Sequence, residues 1–201
     1  MRIGIVLVAA LCTTVGCGGS GSDAAGPEST TTSESAVTNR QVGVLAEVSD
    51  ADTAFTYDTT AAPPGGELEL EVVEGEGTTT VRLIVSGLQP DRGYAAHAHT
   101  DPCGETGADA GPHFQNEPDP NATPDKPSTD PAYANPQNEI WLDLTTDGEG
   151  NGTAETAVPF DFADRVPASV VLHEQPATAT EPGKAGSAGG RVACFTAPFR
   201  G

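Results

Sequence analysis

Four histidines occur in the 201 residues, and three of them fall within one stretch, residues 94–114, YAAHAHTDPCGETGADAGPHF. In an extended strand side chains alternate between faces, so His97 and His99 project from one side while Ala96 and Ala98 face the other. Two imidazoles on one face are half of a metal site. The Gly111-Pro112 step before His113 marks a turn that can return a third imidazole toward the pair, and the strand-like run Ser169-Val-Val-Leu-His173 offers a fourth. A single histidine on a strand is commonly a satisfied side chain, but here two form an H-x-H pair and none sits in the acidic surface segments. Imidazole nitrogen without thiolate or thioether suits copper, zinc, iron or nickel. Spacing alone therefore gives an all-histidine transition-metal site and names neither the metal nor the reaction.

The elements that must position these residues read as strands. From Arg40 onward the apolar period is two: Leu68, Leu70 and Val72 alternate with glutamates, Val81, Leu83 and Val85 with more polar neighbours, and Ile140, Leu142 and Leu144 with Trp141 and Asp143. Turn signals separate the runs, among them Pro63-Pro-Gly-Gly66, Gly75-Glu-Gly77, Gly87-Leu-Gln-Pro90 and Asp147-Gly-Glu-Gly150. Strands are expected near Val42, Phe55, Leu68, Val81, His97, Leu142, 154–158 and Val171, with one more near Val192, arranged as an antiparallel sandwich or flattened barrel. Residues 117–137 break the pattern, with six prolines and no periodicity. A loop of that length within a domain is usually functional.

Composition agrees with many turns and few long helices: 36% of residues are hydrophobic, with Gly 24 and Pro 17. A formal charge of -20 excludes nucleic acid and an anionic membrane surface as partners, since both would repel the chain. Residues 1–17 read as an export signal, with Arg2, an apolar run from Ile3 to Leu11 and small residues ending at Cys17. Small residues ahead of Cys17 resemble a bacterial lipobox. That reading makes Cys17 the lipidated first residue of a lipoprotein on the outer face of the cell membrane, and the membrane a partner only through the anchor; the alternative is an ordinary secreted or periplasmic protein. Residues 18–39, rich in Gly, Ser, Thr and Glu, form a tether to a single domain over 40–201. With Cys12 and Cys17 accounted for, Cys103 and Cys194 remain. An even pair in an exported protein favours a disulfide over a thiolate metal site, for which no CxxC is present.

At this point the residues support a family. Gly87-Leu88 leading into His97-Ala-His99, Ala110-Gly-Pro-His113-Phe, Val170-Val-Leu-His173-Glu and Gly189-Gly-Arg191-Val-Ala-Cys194 resemble, in order, segments of the copper/zinc superoxide dismutases, across most of residues 42–196. The resemblance implies an all-β, eight-stranded antiparallel Greek-key sandwich or flattened barrel with long loops. It implies copper ligation by His97, His99, His113 and His173, a Cys103–Cys194 disulfide, and superoxide as substrate. Arg191 would guide and hold that anion, and His113 would hand a proton to the departing peroxide. The family's zinc subsite takes two further histidines and an aspartate after A-G-P-H-F, and this chain has no histidine between His113 and His173. Copper without zinc is therefore the expected cofactor. Asp119, Asp125, Asp130 and Glu139 read as solvated surface, and Glu117 or Asp109 as the carboxylate that orients His113 in place of zinc. The expected activity is superoxide disproportionation; the alternative is a non-catalytic copper-binding lipoprotein of the same fold. Oligomeric state is left open.

Overall fold

A computed structural model describes residues 39–123 and 126–200. The expected export signal, Cys17, nearly all of the tether and Asp125 lie outside the described residues. Among these, eleven strands form in order: β1 (Asn39–Val44), β2 (Ala46–Glu47), β3 (Ala54–Thr56), β4 (Glu67–Gly75), β5 (Thr78–Ser86), β6 (Gly93–Tyr94), β7 (Ala96–His99), β8 (Leu144–Thr145), β9 (Gly152–Val158), β10 (Ser169–His173) and β11 (Arg191–Thr196). One short 3-10 helix, Gly107–Ala110, interrupts them. β1, β4, β5 and β9 make a four-stranded sheet in the order β1-β4-β5-β9, and the other main sheet runs β2-β3-β11-β10-β7. Every pairing is antiparallel except the short parallel pair of β2 with β3. The sheets do not close on one another, so the structure is a sandwich and the flattened barrel is set aside.

The period-two pattern explains the core. Leu68, Leu70 and Val72 on β4 pair in register with Val85, Leu83 and Val81 on β5, and all six are at most 2% exposed. Facing them from the second sheet are Ala96, Ala98, Val170, Leu172, Ala193 and Phe195, which belong to the same apolar cluster. Each large side chain so buried contributes about 1.5–3 kcal/mol relative to exposure. The alternating glutamates of β4 meet arginine instead: Arg40 reaches Glu69 at 2.6 Å and Arg82 reaches Glu71 at 3.5 Å.

The second sheet departs from alternation. β7 and β10 are buried at every position. On the face of β10 opposite the main core, Val171 joins Cys194 and Ala110 in a small second cluster, packed by Tyr57 and Cys103. Cys103 and Cys194 are disulfide-bonded, closing a loop of 91 residues onto β11. A chain-entropy estimate for such a loop is about 4–5 kcal/mol. The expected strand near Leu142 shrinks to the two residues of β8, because residues 140–142 turn their backbone to β7: Ala98 N–H donates to Ile140 O at 3.1 Å and Leu142 N–H to Ala96 O at 2.8 Å. This covers the edge of β7 that does not pair with β10.

Candidate metal centre

His97 and His99 extend from β7 on the face away from Ala96 and Ala98, as alternation requires. On the adjacent β10, Ser169 and Val171 stand in register with His99 and His97, so His173, two residues past Val171, faces the same way. A bulge then recruits Arg191. Leu172 pairs with Ala193, but His173 pairs with Arg191, leaving Val192 as the extra residue of β11. Val192 and Ala193 both turn into the core, and Arg191 is displaced onto the histidine face. His113 arrives from the loop. Thr100 N–H donates to Pro112 O at 3.1 Å, and an isolated bridge pairs His99 with His113. The turn depends on Gly111, whose φ of +70 favours glycine and where any Cβ would collide with Asp101 and Thr100 side-chain oxygens.

All four predicted ligands converge, with one nitrogen from each lying within 4.8 Å of the others. Two nitrogens on opposite sides of one ion at about 2.1 Å would be about 4.2 Å apart, so little contraction closes the set on a metal. His99 Nε2 and His173 Nε2 are 3.3 Å apart. That is about the separation of two nitrogens sharing an ion at a tetrahedral angle.

Hydrogen bonding shows which nitrogen each ring can offer. His99 Nδ1 lies 3.0 Å from Gly111 O and His173 Nδ1 3.4 Å from Gly189 O, and a carbonyl only accepts. Both rings therefore carry their proton on Nδ1 and keep a lone pair on Nε2. His113 Nδ1 is 3.0 Å from Glu139 Oε2, with the same consequence. His97 is the reverse. Its Nε2 meets Thr178 Oγ1 at 2.5 Å, and its Nδ1 is the buried side-chain polar atom left without a partner among the described residues. A buried, unpaired nitrogen is costly unless something occupies it. A metal ion would. Among the described residues no second group of three or more potential ligands forms.

Burial keeps three of these rings, His97, His99 and His173, neutral. It is the largest cause holding His97 and His99 well below the ordinary histidine range, with the neighbouring imidazoles adding to it, and it lowers His173 to about 3. Metal ligation requires the neutral form, so desolvation readies the site. Arg191 is half-buried, and its Nη1 and Nη2 donate to the carbonyls of Gly107 and Gly111. Gly107 lets it pass: a Cβ there would lie 2.9 Å from the Cβ of Arg191. Desolvation pulls the guanidinium below its ordinary value, yet such a group stays protonated in proteins.

The carboxylate that orients His113 is neither Glu117 nor Asp109. Asp109 is exposed and caps the 3-10 helix, accepting from Thr106 N–H at 2.8 Å. Glu117 is exposed and tied through its backbone to Asn138. The role falls to Glu139, expected at the surface but 1% exposed. Its Oε2 also accepts from Trp141 Nε1 at 2.7 Å, and its Oε1 from Gln115 Nε2 at 2.8 Å. The sequence did hold a signal. Glu139, Trp141 and Asp143 alternate with Ile140, Leu142 and Leu144, so the face read as the wetter one is the face turned to the histidines.

Above the cluster lies a cavity of about 450 Å³, walled by His113, His173, Arg165 and Arg191, with Pro118 and Pro127 of the proline-rich segment and Gly186 and Gly189 from the chain between β10 and β11. The described residues of that segment are tied by side-chain hydrogen bonds: Ser128 Oγ donates to Asp119 Oδ2 at 2.6 Å, and Tyr133 O accepts from Asn138 Nδ2 at 2.8 Å.

No protein-family model matches the chain, and no curated protein matches it. Among solved structures, a mutant of the SOD-like protein from Bacillus subtilis is similar at 16% identity and a TM-score of 0.45, covering 64% of this chain and 88% of that one. The Cu/Zn superoxide dismutase from Brucella abortus is similar at 16% identity and a TM-score of 0.42, covering 79% and 99%. Both neighbours are superoxide dismutase-like proteins, the kind the sequence resembles. The chemistry of the site stands on the chain's own residues.

Proposed function

We propose that the chain is a superoxide dismutase that works at a copper ion held by His97, His99, His113 and His173, without zinc. One observation carries this reading: four imidazoles, each with its proton committed outward, present bare nitrogens to one point beside a cavity that Arg191 helps to line. Copper there supplies two oxidation states, so that one superoxide gives up an electron and leaves as oxygen while a second takes it up and, with two protons, leaves as hydrogen peroxide.

The chain's residues serve that chemistry in distinct ways. Arg191, with two of its five N–H donors fixed to backbone carbonyls, is held rigidly and turns positive charge toward the cavity. Arg165, stacked over Phe114 at 5.1 Å and donating to Gln115 O, adds a second cation to the same wall. Lys126 and Lys184 each precede a cavity-lining residue, Pro127 and Ala185. By contrast Arg40, Arg82 and Arg200 are paired with glutamates elsewhere. Asp119 and Glu139 line the cavity too, Asp119 bonded to Ser128 and Glu139 to His113, Gln115 and Trp141. The two arginines balance the carboxylates there rather than leaving the entrance with the -20 of the whole chain, and salt screens the remainder beyond about 8–10 Å. His113 is the partly exposed ring of the four, and Glu139 holds its Nδ1–H. Its Nε2 is the nitrogen it would offer to the ion, so it would take up a proton from the cavity and pass it to the departing peroxide only while released from that ion.

The test is superoxide decay with the copper-loaded domain, with and without Arg191→Ala. The expectation is consumption well above copper-free protein, and a loss of about tenfold or more in the variant as an electrostatic contribution is removed. Tight copper binding with decay no faster than buffer would select the non-catalytic copper-binding alternative.

A further inference from the structure

Three of the four rings have their tautomer fixed by a group that can only accept: the carbonyls of Gly111 and Gly189 and the carboxylate of Glu139. His97 does not. Its outer nitrogen faces Thr178 Oγ1, and a hydroxyl can either donate or accept, so that contact alone leaves the proton of His97 free to sit on either nitrogen. Asp143 resolves the ambiguity. The Thr178 hydroxyl donates to Asp143 Oδ1 at 2.7 Å, which commits its only proton and leaves its oxygen able only to accept. His97 must then carry its proton on Nε2. Its Nδ1, buried and without a partner, is the nitrogen left bare.

We infer that Asp143 and Thr178 act as a positioning pair that sets the tautomer of His97 and so selects Nδ1 as the nitrogen it offers to a metal. The pair is built to hold still. Asp143 Oδ2 also accepts from Thr178 N–H at 2.7 Å, and Oδ1 from the backbone N–H of Ala96 at 3.0 Å. Asp143 thereby grips the residue before His97 and, through Thr178, the far edge of its ring. Thr178 is 9% exposed, so water has little access to replace its hydroxyl. Neither residue touches the cavity, and neither offers an atom to the histidine cluster. Their influence passes through the ring of His97 and the Ala96 backbone beside it.

The inference rests on the four-histidine site reading, but its test does not need activity. In metal-free protein with isotope-labelled imidazoles, long-range proton–nitrogen correlation spectra near neutral pH report which nitrogen of each histidine is protonated. His97 is expected as the Nε2–H tautomer and the other three as Nδ1–H. Thr178→Val removes the acceptor and should move His97 toward Nδ1–H, with copper affinity falling about 10–100-fold, the usual cost of losing an outer partner of a ligating histidine. Thr178→Ser keeps the hydroxyl and should hold both the tautomer and the affinity, which a purely packing role for Thr178 would not predict. An Nδ1–H signal for His97 in the unaltered protein would overturn the inference. So would Thr178→Val with an unchanged tautomer. If the valine variant does not fold, the unaltered protein and the serine variant still decide. Failure of the protein to bind copper would sink the proposed function while leaving the tautomer result to stand or fall separately.

Discussion

The two sheets of the sandwich are built from similar short strands and put to different use. In the four-stranded sheet, β4 from Glu67 to Val73 and β5 along its length alternate buried and more exposed residues, with Leu68, Leu70 and Val72 inside and glutamates outside. In the five-stranded sheet, β7 and β10 are buried on both faces, one against the core and the other against histidines, disulfide and loops. A sheet with one wet face needs only apolar side chains at every second position. One that is covered on both sides must find partners for every polar group it hides, and a cluster of neutral imidazoles adds a further cost whenever they are asked to take up protons.

Acid should separate the two regions most strongly. The folded value of His173 is about 3 against an ordinary 6.5, and His97 and His99 are also held far down by burial. The unfolded chain binds protons at these rings and the native one does not. Stability of the metal-free protein from this source is complete above pH 6.5 and is lost progressively as pH falls toward 3. Denaturant midpoints measured across that range should decline, and should decline far less in a variant with His97, His99 and His173 replaced. A midpoint that stays flat in the metal-free parent would break the distinction between the sheets.

Leu70→Ala probes the other side. Leu70 is 2% exposed in the middle of β4, so its truncation should destabilise the fold by about 2–5 kcal/mol while leaving copper affinity unchanged. A loss of affinity in that variant would mean that the sheets are energetically one unit. The finest contrast is Glu139→Gln, which preserves size but removes the charge that accepts the Nδ1–H of His113. Copper affinity should fall about 10–100-fold with little change in the thermal midpoint of the metal-free protein, read by metal competition and calorimetry.

The same contrast explains what could be read from sequence. Period two exposed the strands of the wet sheet directly, and the His97-Ala-His99 pair announced its own geometry, since alternation alone puts both rings on one side. The convergence of His113 and His173 was legible through Gly111-Pro112 and the run ending at His173. What the pattern hid was the buried polar layer. Glu139, Trp141 and Asp143 looked like an exposed face because polarity every second residue ordinarily means water. Here it means histidines. Arg191 reaches that face through a bulge at Val192, and a one-residue insertion in a ladder leaves no trace in composition. Glu117 and Asp109 were nearer His113 along the chain than Glu139, but proximity in sequence is a poor guide where a loop folds back. Residues 1–38, where the expected export signal and Cys17 fall, lie outside the described residues.

The most direct test of the central idea is titration of the metal-free protein with copper(II), following the electron paramagnetic resonance spectrum, beside a variant in which His97 and His99 are alanine. One equivalent bound with nitrogen hyperfine structure from imidazoles, and no such species in the variant, is the expected result. A protein that binds no copper above buffer, or a variant that binds it with an unchanged spectrum, would contradict the claim that these four histidines form one metal site.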